Sequence, residues 1–263
     1  MDRALKTAAT GMYAQQLNVD AIANNLANVN TTSFKDTRVE FQDLMYETLR
    51  ATGTPDQQGG TPPAELQVGD GVMPSSTTRD FSQGDLTPTQ NQLDFGINGD
   101  GFFRVRMPDG SESYTRDGSF KISADGNIVT SSGYVVEPGF TVPSDTTAIQ
   151  VGPDGTVQAT VSGQTSPVTL GQLELAKFIN PVGLSALGSN LYQETAASGT
   201  PILGNANTTG FGQIQQGYLE SSNVSIVNEM VNMIQAERAY ELNSKAIQTA
   251  DTMLQLANNL KSS

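Results

Sequence analysis

Carboxylates are the most abundant groups in this 263-residue chain able to do acid–base chemistry. There is no His and no Cys. Catalysis would therefore fall to Asp, Glu, Lys, Tyr or Ser, and no thiolate is available as nucleophile or metal ligand. Asp94, Asp100, Asp109 and Asp117 lie close in sequence, and a suitably spaced carboxylate pair is what a glycosidase uses. Three of the four precede Gly, as do Asp125 and Asp154. Asp-Gly suits turns that need positive φ, so backbone geometry explains these residues without catalysis. Asp and Gly in turns also build calcium loops. Here the EF-hand spacing of acidic ligands and the glycine-rich nonapeptide repeat are both missing. The residues point away from an enzyme and imply neither metal nor cofactor.

Composition narrows the partners. A formal charge of -13 disfavours nucleic acid and anionic lipid, and no basic cluster offsets it. No apolar run approaches the ~18 residues that span a membrane, so direct membrane insertion is not expected. Arg3 and Lys6 stand at the N-terminus without a continuous apolar stretch behind them. A cleaved secretory signal peptide is therefore not expected.

The elements are drawn by Pro and Gly. All 12 prolines lie between Pro55 and Pro201, and every glycine except Gly11 lies between Gly53 and Gly217. These residues break helices and permit turns. The chain thus reads helix, β-rich middle, helix, an α+β fold. Leu5, Met12, Val19 and Leu26 recur every seven residues, with Ile22 on the same face; Ile226, Met233, Tyr240, Ile247 and Leu254 do likewise near the other end. Ala236, Ala250 and Ala257 flank the second column. Such repeats mark helices whose seams face other helices. The two helices are expected to pair as a coiled coil, and the seams to serve self-assembly. The rival is the core of an ordinary helical hairpin in a monomer. Asn18 and Asn25, seven apart beside the seam, suit register control by buried amides. Asn24, Asn28 and Asn30 extend an amide-rich tail that also suits a fraying helix end.

Between the helices, residues 34–50 read as an extended segment leading into a short helix. The Gly, Pro and polar stretch from Ala51 to Ser76 reads as a long flexible loop. Leu66, Val68, Val72 and Met73 give its second half apolar anchors for an interface. The Asp-Gly spacing predicts strands over 102–107, 119–122, 127–130 and 134–136. A second β portion is expected over 148–151, 156–161, 168–170 and 173–179. The last helix is expected to begin at Ser222 or Asn223, either a competent cap. The implied domains are 1–33 with 220–263 as a helical assembly domain, 34–76 as a connecting segment, and 77–219 as a β domain. A monomeric β-rich binding module is the alternative.

Three runs resemble one family. Ala8-Ala9-Thr10-Gly11-Met12, with Ala23-Asn24-Asn25-Leu26-Ala27-Asn28-Val29-Asn30-Thr31-Thr32, is similar to the N-terminal signature of bacterial flagellar axial proteins, the rod and hook group. Leu93-Asp94-Phe95-Gly96-Ile97-Asn98-Gly99-Asp100-Gly101-Phe102-Phe103 and Tyr114-Thr115-Arg116-Asp117-Gly118-Ser119-Phe120 resemble its central β domain. Gly217-Tyr218-Leu219-Glu220-Ser221-Ser222-Asn223-Val224 and Met233-Ile234-Gln235-Ala236-Glu237-Arg238-Ala239-Tyr240-Glu241 resemble its C-terminal signature. The length and Phe178-Ile179-Asn180-Pro181 are most like the distal type of rod subunit; a proximal rod or hook-type axial subunit, sharing the terminal signatures, is the alternative. Ser33 departs from the Gly usual before Phe34-Lys35, and the implied constraint there is mild. The resemblance implies a helical homopolymer crossing the periplasm and transmitting torque. Its implied partners are further copies of itself, proximal rod proteins, hook protein, surrounding ring proteins and the type III export apparatus. No cofactor is implied.

Overall fold

The computed structural model describes residues 2–50, 65–164 and 166–261. It carries one helix near each end and a β-rich middle, an α+β architecture. The chain forms two compact units. One takes 1–27, 37–79 and 225–263; the other takes 28–36 and 80–224.

The first unit holds α1 (Asp2–Ala27), β1 (Thr37–Asp43), β2 (Tyr46–Arg50), β3 (Leu66–Gly69), β4 (Val72–Arg79) and α2 (Ile226–Lys261). α1 lies against α2 and also contacts β1 and β4. β1 and β4 pair antiparallel from Thr37↔Arg79 to Asp43↔Val72, with a bulge between Glu40 and Phe41. β2 and β3 continue as a second antiparallel pair from Tyr46↔Gly69. Leu44 N donates to Gly71 O at 2.9 Å between the two pairs.

Three expectations are corrected here. No short helix follows residue 34; β1 and β2 occupy that stretch. The expected loop is strand over Leu66–Gly69 and from Val72 onward, while residues 51–64 of it lie outside the described residues. Both errors have one cause. These strands are stabilised by partners roughly 20 to 40 residues away, and their mixed polar pattern carries no local signal of that pairing. Third, α2 begins at Ile226, with Glu229 N donating to Ser225 O at 2.9 Å. Asn223 is no cap for α2, because its Oδ1 accepts from Asp36 N at 2.8 Å.

The second unit holds β5 (Leu86–Pro88), β6 (Phe95–Asn98), β7 (Phe102–Arg106), β8 (Glu112–Thr115), β9 (Lys121–Ile122), β10 (Ile128–Val129) and β11 (Val135–Val136). It continues with β12 (Thr146–Val151), β13 (Thr156–Val161), β14 (Val168–Gln172), β15 (Glu174–Lys177), β16 (Ser185–Gly188), β17 (Leu191–Gln193), β18 (Ile202–Asn205), β19 (Gln213–Gln216) and β20 (Tyr218–Glu220). In the largest sheet β16, β17, β8 and β7 follow in order. β7 then feeds two branches: Phe102 and Phe103 pair with β15, which pairs β18, while Val105 and Arg106 pair with β11, then β10 and β9. β12, β13 and β14 form a smaller sheet, and β6–β19 and β5–β20 are pairs.

The Asp-Gly turns sit where the spacing places them. Asp109 Oδ1 accepts from Ser111 N at 2.9 Å, Asp117 Oδ1 from Ser119 N at 3.0 Å, and Asp154 Oδ1 from Thr156 N at 3.1 Å. At Gly118 a Cβ would lie 1.8 Å from the carbonyl oxygen of Phe95, so only Gly lets the strand after the turn come this close. The core of this unit centres on Phe95, Ile97, Phe103, Phe120, Leu173, Leu175 and Ile214. Phe103 and Phe120 meet edge to face at 5.1 Å, a favoured aromatic geometry. A second cluster gathers Phe102, Tyr114, Phe178 and Tyr192.

Candidate assembly surface and buried ion-pair cluster

In the first unit the two helices meet through small and polar residues. Ala8, Ala14, Ile22 and Asn25 are buried on α1, and Glu229, Ala236 and Ala250 on α2. At Gly11 a Cβ would lie 2.9 Å from Asn243 Nδ2, so the lone helical glycine marks a close approach. Near the other end of α1, Asn25 clasps β1. Its Oδ1 accepts from Thr37 N at 3.0 Å and its Nδ2 donates to Thr37 O at 2.9 Å. The same Nδ2 donates to Glu229 Oε2 at 3.1 Å. Glu229 stands in the first turn of α2, where the helix dipole favours a carboxylate.

The seven-residue columns fall elsewhere. Ile22 is buried, but Leu5, Met12, Val19, Leu26, Met233, Ile247 and Leu254 are half-buried, and Ile226 and Tyr240 are exposed. Of the amides, Asn25 is buried, Asn18 and Asn28 are half-buried, and Asn24 and Asn30 are exposed. The Ala257 side chain lies outside the described residues. Beyond these columns, α2 exposes Val227 (71%), Leu242 (66%) and Leu256 (63%), with Met230, Val231 and Ile234 about half exposed. The β2–β3 pair and its approach expose Met45 (85%), Tyr46, Leu49 and Leu66. Large exposed apolar side chains in this number suit an interaction site.

In the second unit sequence reading missed a buried cluster of charge. Lys35 Nζ lies 2.6 Å from Glu220 Oε1, and Arg116 Nε lies 2.7 Å from Glu220 Oε2; the Lys35 and Glu220 side chains are wholly buried. Lys35 Nζ also donates to Ser82 O at 2.6 Å, and Gly84 N donates to Glu220 Oε1 at 3.0 Å. Arg116 spends its remaining donors on the carbonyls of Gly101 (3.1 Å) and Gly99 (3.0 Å). Glu220 therefore ties together segments 33–36, 82–84 and 116. Burial lowers the Lys35 pKa from its ordinary value, although Glu220 opposes the fall. Burial pushes Glu220 up, but Arg116 and Lys35 more than offset it and hold its carboxyl below the usual range. A buried charge is tolerable when so paired and hydrogen-bonded.

Ser33 completes the cluster and overturns the mild constraint expected of it. Its φ is +55, in the left-handed region. Its N donates to Glu220 O at 2.8 Å and its Oγ to Arg116 O at 2.8 Å. The conformation that favours Gly is thus enforced, and the hydroxyl repays Ser with a buried bond that Gly could not make. The sequence held a signal for the cluster, since Arg116 and Glu220 sit in motif runs and Lys35 follows another closely.

The carboxylates weighed for catalysis hold turns and ion pairs. Asp94 accepts from Thr89 Oγ1 at 2.7 Å and Asn91 Nδ2 at 2.9 Å, and Asp100 pairs with Lys177 Nζ at 2.8 Å. Bonds from Ser111 lower the Asp109 pKa, and bonds from Thr156 lower that of Asp154. Among the described residues no group of three potential ligands gathers to hold a metal, and no helix is long and apolar enough to cross a membrane.

A well-filled β unit joined in sequence to helices and ribbons that leave apolar side chains uncovered is the form of a structural assembly subunit. Residues 5–35 match the flagella basal body rod protein family, 96–159 the D1 domain of the flagellar hook protein FlgE/F/G family, and 215–260 the C-terminal region of flagellar basal body rod FlgEFG proteins. The flagellar basal-body rod protein FlgG of Borreliella burgdorferi is 52% identical over 99% of both chains. That of Caulobacter vibrioides is 48% identical over 99% of this chain and all of its own, and that of Bacillus subtilis 38% over the same shares. The chain belongs to the FlgE/F/G family of flagellar rod and hook proteins, a family of structural proteins rather than enzymes. Lys35, Arg116 and Glu220 fall one in each of the three matched segments.

Proposed function

We infer that this chain is a structural subunit of the flagellar basal-body rod, of the distal type, and that it polymerises helically into a shaft. The observation that carries self-assembly is the exposed apolar surface of α2, headed by Val227, Leu242 and Leu256. Each such side chain offers about 1.5–3 kcal/mol on full burial, and a helix gains most of its stability from such packing. Distal type is supported by full-length relatives named FlgG. In this reading the terminal helices pair as a coiled coil and, with 37–79, make a discontinuous assembly domain of 1–27 and 225–263. The half-buried columns Leu5, Met12, Val19, Leu26 and Met233, Ile247, Leu254 face neighbouring copies, joined by Ile226 and Tyr240. Asn18 and Asn25 hold one register, and the exposed β2–β3 residues add a second contact between copies. The shaft stands in the periplasm, meets proximal rod proteins, hook protein and ring proteins, and receives subunits from the type III export apparatus.

Negative-stain imaging of concentrated protein tests the reading. Straight filaments of uniform width are expected. Protein that stays monomeric at every concentration and ionic strength would favour a binding module instead.

A further inference from the structure

The chain passes between the two units four times, so the β unit has four chain exits, at residues 28, 36, 80 and 224. They lie in three segments, 28–36, 80–85 and 221–224, none of which is helix or strand. Irregular segments at a unit boundary are where φ and ψ rotate most easily, and hinges are drawn from them. A free hinge takes up a twist instead of passing it on. In this unit the three segments spend their hydrogen bonds on one another.

Asn223 is the hub. Its Oδ1 accepts from Asp36 N at 2.8 Å, and its Nδ2 donates to Asp80 O at 2.9 Å and Ser82 Oγ at 3.1 Å. Its own N donates to Phe34 O at 3.3 Å, and Asp80 N donates to Asp36 O at 2.9 Å, which closes a ring of bonds through residues 36, 80 and 223. The Glu220 cluster ties the same segments a second time, through Ser33, Lys35, Ser82 and Gly84. Ser221 N adds a bond to Asp85 O at 2.8 Å, and a Cβ at Gly84 would lie 2.1 Å from Ser221 O. An amide is what the hub needs, because it accepts from a backbone N–H and donates to a backbone carbonyl at once, which a carboxylate cannot do. Asn223 is half-buried and belongs to neither hydrophobic cluster, so core packing does not account for it.

We propose that Asn223 is the positioning residue of a collar, 28–36 with 80–85 and 220–224, that locks the four exits of the β unit into one body and removes the hinge they would otherwise make. Twist arriving at any one exit is then shared by all four and by the buried ion pairs of Glu220. That use in a shaft rests on the rod-subunit reading, while the collar itself does not.

Asn223→Ala and Asn223→Asp test the collar. Ala removes the acceptor and the donors; Asp keeps an acceptor for Asp36 N but sets a carboxylate against Asp80 O, so it should not rescue. In free subunits, amide hydrogen exchange should quicken about tenfold at Ser33, Asp80 and Gly84, while the amides of β7 and β15 keep their rates. None of those three donates to Asn223, so only a cooperative collar moves them. Filaments of both variants should form at the same protein concentration as the unmutated chain but curve where it runs straight. Faster exchange confined to Asp36 would reduce the collar to one local bond and overturn it. Filaments as straight as the unmutated ones would overturn its mechanical use and leave the rod-subunit reading standing. Loss of the near-ultraviolet circular dichroism of the β unit would make Asn223 a core residue, and folded variants that no longer polymerise would put it at a contact between copies; either result overturns the proposal. Failure of the unmutated protein to polymerise would overturn the rod-subunit reading, and the exchange rates would still decide the collar.

Discussion

At the scale of single residues, Ser33 and Glu220 show how much one atom decides. Ser33 holds a conformation that costs an L-residue about 1–2 kcal/mol, and its Oγ bond to Arg116 O repays that cost. Ser33→Ala keeps the strain and leaves a buried carbonyl short of a donor, so a loss of about 1–3 kcal/mol is expected. Ser33→Gly loses the bond but releases the strain, and should be close to neutral. Urea midpoints of the three proteins check the order; Ala at or above Gly would contradict it. Glu220→Gln leaves two buried cations facing a neutral amide, for which about 3–5 kcal/mol of destabilisation is expected. The pH dependence has a definite sign. The Glu220 carboxyl is held below its unfolded value, so its contribution is complete above the ordinary carboxylate range and fades as pH falls through the folded value. Lys35 is lowered from its ordinary value, so the unfolded chain holds that proton more tightly, and stability rises as pH climbs toward the unfolded lysine value. With no His present, melting temperature should be nearly flat from pH 5 to 8 and drop below about pH 4.5, near the unfolded Glu value. A steep change between pH 6 and 7.5 would require a titrating group that this account lacks.

At the scale of elements, the helices show what periodicity reveals and what it hides. A heptad count weighs large apolar residues, so it selects Leu5, Met12, Val19 and Leu26. The buried residues of α1 are instead Ala8, Ala14, Ile22 and Asn25, with Gly11 against the Asn243 side chain, and a count of large apolar residues picks out only one of them. The helices were therefore legible, while the face each turns to its own partner was not. Strands between closely spaced Asp-Gly turns were legible for the same local reason, β7 and β10 among them. β1 to β4 were not, since their pairing is long-range and their side chains are largely exposed. In the proposed assembly these half-buried columns meet other copies. Met12→Lys and Ile247→Lys should accordingly abolish filaments while the β unit stays folded, because a charge is forced into an apolar contact. Gln164→Lys, in an exposed turn of the β unit, is the matched control. Sedimentation reads assembly, and near-ultraviolet circular dichroism reads the β unit. Normal filaments from either seam variant would show that these columns do not face neighbours.

At the scale of the whole molecule, the two units differ in how much interior each owns. Both large hydrophobic clusters, aromatic rings included, belong to the β unit. Among the described residues of the helical unit, the fully buried apolar side chains are Ala8, Ala14, Ile22, Ala236 and Ala250. Four alanines and one isoleucine bury too little apolar area to offset the ordering of two helices and a long ribbon, at about 25 cal/mol per Å² against roughly 1–2 kcal/mol per residue of backbone entropy. In the proposed assembly the helical unit gains further stability from contacts with other copies. Opening of α1 and α2 in the free subunit should be frequent and local, with the β unit unaffected. Limited proteolysis of a verified monomer should therefore remove both helices early and leave a fragment of roughly residues 35 to 220, the span sites in exposed helix would release. In filaments the same sites should be protected, since assembly covers the apolar faces that the monomer leaves to water. Cleavage inside α1 and α2 at equal rates in both states would show that assembly does not stabilise these helices. Helices that resist protease in the monomer would show that the small alanine contact holds them by itself, and self-assembly would lose the driving force assigned to it.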